Sequence, residues 1–202
     1  MSLTLLSWRR SVFTVYAEVR AERDPERAWE RWRTGRDVLF AKHPDSPLLP
    51  GDRDEFTGLP FAPYDPALRW ELPVEETTPE RRHVPTMTDG IVPFERVGLV
   101  RLPGLGTLDV WWLDSYGGGI FVPVADPNPK TYGGGRHLID TVKGADLGGS
   151  GGKLVIDLNF AYSPSCVYDP AWTCPLAPPS NMLEVPVNAG ELIGRAESQD
   201  PL

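Results

Sequence analysis

Two periodicities divide this chain. Over residues 7–21 the apolar positions Trp8, Val12, Val15, Tyr16 and Val19 recur near helical spacing, with Arg9, Arg10, Glu18 and Arg20 between them. That pattern predicts an amphipathic helix. A second helix is predicted to start at Asp24-Pro25. Asp24 suits the N-cap, Pro25 fits the first turn, and Glu26 faces the positive end of the helix dipole. Ala28, Trp29, Trp32, Leu39 and Phe40 form its apolar side, and His43-Pro44 closes it, because a residue before proline is driven out of the α region. Arg27, Arg31, Arg33 and Arg36 read as a solvated basic face.

The helical period is lost after residue 44. Residues 45–66 are rich in Pro, Gly and Asp and read mostly as loop, with Phe56, Leu59, Phe61 and Tyr64 as anchors on the core. From about residue 67 the runs become short, β-branched and aromatic: LRWELPV, RRHVPTM, RVGLVRL, TLDVWWLDSY, GGIFVPVAD, KLVIDLNFAY and LEVPVNAG. In TLDVWWL, Leu108, Val110 and Trp112 share one side. The alternating strand and helix pattern of a doubly wound sheet is absent. The expected fold is therefore α+β: a mainly antiparallel β barrel or sandwich with the N-terminal helices packed on it. One domain is expected over residues 1–202, helical over about 7–43 and mainly β over 67–192, with AESQDPL as a frayed tail.

Composition narrows the function. A net charge of −8 repels phosphate backbones, so no nucleic-acid partner is expected. No membrane partner is expected either, because no basic amphipathic face and no long apolar run occurs. In MSLTLLSWRR the basic residues follow the apolar patch, the reverse of a secretory signal, and the chain carries only two cysteines. Both features suit a cytoplasmic protein.

Candidate chemistry concentrates in the last third. In TYGGGRHL (131–138) three glycines let the backbone take positive φ or approach a ligand closely, and Arg136 follows them directly. A planar cation beside exposed N–H groups suits a carboxylate or phosphate, while a glycine-rich turn with Arg136 in a salt bridge accounts equally for the sequence. The run lacks the Lys-Ser/Thr ending of a phosphate loop and the strand and helix that frame a dinucleotide fingerprint. The glycines at 117–119 read as a turn or bulge, and those at 148–152 as a hairpin connection.

DLNFAY, taken as a continuation of the KLVI strand, places Asp157, Asn159 and Ala161 on one face and Leu158, Phe160 and Tyr162 on the other. Asp157 and Asn159 then either touch a ligand or brace the next loop. Cys166 and Cys174, with seven residues between them, lie in a loop stiffened by Pro164, Pro170, Pro175, Pro178 and Pro179. They can be inert buried thiols, a disulfide, or a nucleophile helped by Arg136 or His137. Two cysteines with the scattered His43, His83 and His137 do not make the usual zinc framework. Asp114, Asp126, Asp140 and Glu191 offer carboxylates without a fixed pairing.

SPL (46–48), the Phe56, Gly58 and Leu59 cluster, FVP (121–123), TYGGGR (131–136), DLNFAYSPSC (157–166), CPLAPPSN (174–181) and AGE (189–191) come in an order that resembles bacterial proteins grouped as domain of unknown function 1684. The resemblance runs from the second helix to Glu191, most of the chain, and is most specific in the C-terminal motif. It implies a mainly β fold with N-terminal helices. It also implies that Tyr132, Arg136, Asp157, Asn159, Tyr162, Cys166, Cys174, Asn181 and Glu191 belong to the family signature. In that pattern the residue after the arginine is aromatic, and here it is His137, which weakens a role for His137 as an essential base. No activity or cofactor comes with the family.

The leading expectation is a small-molecule-binding protein, an enzyme of metabolism acting on an anionic metabolite. Its pocket would lie at the end of the barrel or sandwich, under the 157–181 loop. Arg136 would hold the anionic group, Asp157, Asn159 and Asn181 would orient the ligand, and Tyr132 or Tyr162 would close over it. Cys166 is the reactive candidate, with Asp157 as the second catalytic candidate. Cofactor, metal and oligomeric state are unassigned. The rivals are a non-catalytic protein-interaction module and a redox-responsive module that uses both cysteines.

Overall fold

The structure is a computed structural model that describes residues 3–86 and 90–194. The tail AESQDPL and Met87, the last residue of the expected RRHVPTM strand, lie outside the described residues.

Helix α1 spans Leu3–Ala21 and α2 spans Pro25–Lys42. The expected stop and start signals hold. Asp24 Oδ1 accepts from the backbone N–H of Glu26 and Arg27 at 3.0 and 3.1 Å, and Pro25 takes the first helical position. His43 is extended and ends the helix before Pro44. Tyr16 and Val19 of α1 pack with Ala28, Trp29 and Trp32 of α2 against Ala145 and Phe160. The helix pair thus covers one side of the β structure. The basic face is corrected in part. Arg27 and Arg31 stay outside, paired with Glu22. Arg33 lies over Trp29 and Phe61, and Arg36 turns inward across Trp32, Phe40 and Tyr162.

Residues 45–66 are mostly irregular, with one short helix, α3, at Pro50–Arg53. Leu59 packs against Phe40 with Phe56 and Phe61, so the expected anchors are in place.

Seven strands follow: β1 (Arg69–Pro73), β2 (Arg81–Thr86), β3 (Gly90–Leu102), β4 (Gly106–Leu113), β5 (Ile120–Val124), β6 (Arg136–Asp140) and β7 (Lys153–Asp157). Strands β2 to β6 form a five-stranded sheet in chain order, and β1 pairs with β7 in a second sheet. All ladders are antiparallel. The seams between the sheets are single bridges, Glu75 to Leu99 and, just past β7, Tyr162 to His137. The β structure is therefore a sandwich rather than a closed barrel. Between the layers lie Val100, Leu102, Leu108, Val110, Val122, Val124, Leu138, Ile139 and Ile156, with Trp70 and Leu72 packed against them.

The other face of the five-stranded sheet is also apolar. Val92, Phe94, Trp111 and Phe121 form a second cluster there. Leu108 and Val110 face the inner core as expected, whereas Trp112, on the same side of β4, is half-exposed at the strand end.

Three strand expectations change. DLNFAY does not continue β7: the strand stops at Asp157, whose carboxylate caps a 3₁₀ turn over Leu158–Phe160. The simple alternation of Asp157, Asn159 and Ala161 is lost with it. RHLID, read as part of a glycine turn, is strand β6 with all five residues buried. Burial on both faces removes the alternation that would have revealed it. LEVPVNAG is an extended strap outside any ladder. It is held by bonds such as Leu183 N–H to the Ala125 carbonyl and Val187 N–H to Asp126.

Candidate functional site

The glycine run does allow a close approach, but to the protein's own chain. Gly135 has φ +98°, and a Cβ there would lie 2.5 Å from the Cβ of Ala177. Ala177 N–H donates to the Gly134 carbonyl at 3.0 Å, so the glycine turn holds the proline and cysteine loop in place.

Arg136 is corrected as the ligand cation. Its side chain is 0% exposed, and Nη2 meets Asp126 Oδ2 at 2.9 Å. Nη1 donates to the carbonyls of Ala189 and Glu191. The guanidinium therefore tethers the strap to β6, with its charge already matched inside the protein.

Asn181 and Asn159 are corrected in the same way. Asn181 Nδ2 donates to the carbonyls of Asp109 and Pro123, while Oδ1 accepts from Trp111 Nε1. Asn159 donates to Asp157 Oδ1 and the Asp65 carbonyl and accepts from Asp65 N–H. Both are 0% exposed with their hydrogen bonds made, so neither faces a ligand. Asp157 is buried, and burial pushes its carboxyl up to about 6, opposed by its bonds from Asn159 and by Arg69. It lines a hollow of about 90 Å³ under the helices with Arg20, Arg69 and Phe160, away from the cysteine loop. The pairing of Asp157 with Cys166 as catalytic residues is not assembled.

Tyr162 packs inward. The Arg36 guanidinium lies 4.8 Å from its ring centre, and His137 meets it edge-on. Burial pushes its hydroxyl well above the usual range. Arg36 Nη2 pairs with Glu191 Oε2 at 2.8 Å in the same region. His137 stacks edge-on against Phe121 as well, and burial lowers its pKa to about 4. A neutral imidazole here occupies the place of an aromatic ring, and its Nε2 faces the Pro175 carbonyl at 3.3 Å.

A hollow of about 840 Å³ is the groove between α1 and α2, with Arg10, Glu18, Arg27 and Glu30 on its walls. It contains none of the signature residues. A cavity of about 400 Å³ does reach the expected loop. Its floor is the outer sheet face, with Phe94, Trp111 and Phe121 from β3, β4 and β5. Strand β2 gives one wall, residues 82–85, and residues 173–179 give the opposite wall. The size and apolar lining suit a small organic ligand. Arg82 lies over the Trp111 ring at 5.7 Å and has no carboxylate partner among the described residues. Sequence reasoning passed over it. The alternation RRHV places Arg82 and Val84 on one face of β2, and that was the available signal.

Cys174, not Cys166, lines this cavity. Both thiols are free and half-buried. The Cys166 side chain and the backbone amides of Cys166 and Ser165 act on the Cys174 sulfur. The thiol bond from Cys166, the two amides and the nearby Lys143 charge hold Cys174 down at about 6 against burial. The same thiol contact, with burial, pushes Cys166 up, while the Tyr132 side chain bonds to it. Tyr132 is thus brought to the thiols rather than over the cavity. Among the described residues no group of three His, Cys, Asp or Glu side chains gathers as a metal site, and no helix is long and apolar enough to cross a membrane.

These features define an α+β sandwich protein with one apolar, arginine-rimmed pocket on the outer sheet face. The chain belongs to the family described as Protein of unknown function (DUF1684), whose model matches residues 54–192. It is similar to an uncharacterized protein of Haloarcula marismortui with a solution NMR structure, at 31% identity and a TM-score of 0.57. That match covers 82% of this chain and 92% of the other. No curated protein matches.

Proposed function

We propose that the protein binds a small organic anion with an apolar body in the cavity between the outer sheet face and residues 173–179. One observation carries this reading. A cavity of about 400 Å³ walled by Val84, Phe94, Trp111, Phe121 and Leu176 has a single guanidinium, Arg82, at its side. An arginine without a carboxylate partner among the described residues, stacked on an indole, is set to take a carboxylate or phosphate in a bidentate bond. The aromatic floor is fixed from below, because Asn181 holds the Trp111 indole. A preformed floor lowers the entropy lost on binding. The setting is cytoplasmic and the ligand a metabolite. Cys174 lines the same wall.

The test is a thermal-shift screen of wild type and Arg82→Leu against carboxylate and phosphate metabolites. A ligand at a hundredfold excess over Kd adds about 2.7 kcal/mol to stability. The expected result is a hit that disappears in Arg82→Leu while the ligand-free melting temperature stays put. Hits that survive in Arg82→Leu, or no hit among aromatic and aliphatic acids, would overturn the reading.

A further inference from the structure

A further hollow of about 90 Å³ lies between the helix pair and the β structure, with Tyr16 of α1, Arg36 of α2 and Ser163 on its walls. These walls hold more donors than the protein itself uses. The Tyr16 hydroxyl, the Ser163 hydroxyl and Arg36 Nε are buried and make no hydrogen bond among the described residues. Tyr16 and Ser163 are each only 3% exposed, so bulk water does not serve them. Buried polar groups left in this way cost stability until something meets them. Burial pushes the Tyr16 hydroxyl up, so it remains a phenol that can donate. Lys143 also lines the hollow, and its side chain is 54% exposed, which gives the site a charged mouth toward solvent.

We propose that this hollow binds a small oxyanion, held by the Tyr16 and Ser163 hydroxyls and by Arg36, with Lys143 at its mouth. Charge favours an anion. The ionised groups on the lining are Arg36 and Lys143, and no carboxylate lines it. The carboxylates that balance these cations, Glu191 and Asp140, meet Arg36 Nη2 at 2.8 Å and Lys143 Nζ at 3.5 Å. They leave Arg36 Nε and the other ammonium hydrogens of Lys143 for a ligand. His137 is on the lining as a neutral ring. The volume equals the share of about three waters in the liquid. It suits phosphate or a two-carbon acid and is too small for a ligand with an apolar body.

The donors are held before a ligand arrives. The Arg36 guanidinium lies across Trp32, Phe40 and Tyr162, and the Ser163 N–H is fixed to Glu191 Oε2 at 3.2 Å. Groups fixed in this way lose little freedom on binding. The site is separate from the pocket on the outer sheet face, because the two linings share no residue.

The experiment titrates the full-length protein with sodium phosphate and, separately, with sodium acetate, against sodium chloride at matched ionic strength. It follows the melting temperature and the backbone amide shifts. At least one oxyanion is expected to raise the melting temperature above the chloride control and to move the Ser163 amide. The anion that acts at the lower concentration tells a phosphate site from a carboxylate site. Ser163→Ala and Tyr16→Phe each remove one hydroxyl, and each is expected to weaken binding about tenfold or more, the loss of one hydrogen bond to a charged ligand. Their ligand-free melting is expected to hold or rise, because an unpartnered buried hydroxyl has gone. Lys143→Gln, at the exposed mouth, is expected to weaken binding as well and serves if a buried variant fails to fold. No rise above chloride with either anion would overturn the proposal, as would equal affinity in wild type and both hydroxyl variants. Loss of the response in Arg82→Leu would also overturn it, by placing the anion in the outer pocket. A response that survives in Arg82→Leu alongside a failed metabolite screen would keep this site and remove only the outer one.

Discussion

Arg136 and Arg82 are both arginines on strands of the same sheet, and they do opposite work. Arg136 is sealed, paired with Asp126 and bonded to two carbonyls of the strap. Arg82 faces an open cavity and touches Trp111. The difference follows from backbone accounting. Residues 183–191 run beside the sandwich without a ladder, so their carbonyls and amides need partners from side chains. Arg136, Asn128 and Asp126 supply them. The most chemical-looking residues of the sequence are therefore largely those that replace missing strand pairing. The residue free to meet a ligand looks ordinary because its strand already has its backbone bonds.

This contrast can be broken by mutation. Arg136→Ala should cost about 3–5 kcal/mol in urea unfolding, the penalty for stranding a buried charge. A loss below about 1 kcal/mol would mean that Asp126 finds another partner. Asn181→Ala should cost about 3 kcal/mol, because Trp111 Nε1 and two carbonyls lose their partner at about 1–3 kcal/mol each. It should also weaken any ligand that stacks on Trp111.

Acid titration sharpens the comparison further, because two buried groups pull in opposite directions. His137 stays neutral in the native state down to about pH 4, whereas its unfolded form takes a proton below about 6.5. Its contribution is present above pH 6.5 and is lost as pH falls through 4, worth about 3 kcal/mol. Asp157 keeps its proton up to about pH 6, against 3.8 unfolded. Its contribution is present below pH 3.8 and is lost as pH rises through 6, again about 3 kcal/mol. Taken alone, these two groups nearly cancel between pH 4 and 6. In that window His137→Phe should lose stability as pH rises, and Asp157→Asn should lose stability as pH falls. Parallel curves for the two variants would refute the assignment. The smallest effect belongs to Arg82→Leu, which should change unfolding by less than about 0.5 kcal/mol.

Much of this architecture can be read from the chain. The Asp24-Pro25 and His43-Pro44 signals mark both ends of α2, and six of the expected strand runs contain a strand. Strand β6 was hidden by burial on both faces, and the end of β7 by a cap from Asp157 that resembles continued alternation. The proline and cysteine loop was legible as a pocket wall, and residues 173–179 do form one. Which cysteine faces the cavity depends on how the loop folds back, which spacing alone does not fix. Arg36 was legible in principle. Trp29, Trp32, Arg36 and Phe40 follow at helical steps on the apolar stripe of α2, so a charge there had to meet a buried partner. That partner, Glu191, is 155 positions away in sequence, beyond the reach of any local pattern.

The strap has a consequence for synthesis. Residues 189–191 satisfy the guanidinium groups of Arg36 and Arg136, and Leu192 closes on the Pro60 carbonyl. A nascent chain that has emerged only to residue 188 carries every strand of the sandwich but lacks these partners. At about 5–20 residues per second the gap is brief during normal elongation. A ribosome stalled a few codons early would hold a collapsed domain with Arg36 lacking its carboxylate and Arg136 lacking two carbonyl acceptors, so completion of folding is tied to the arrival of the strap rather than to the assembly of the sheets.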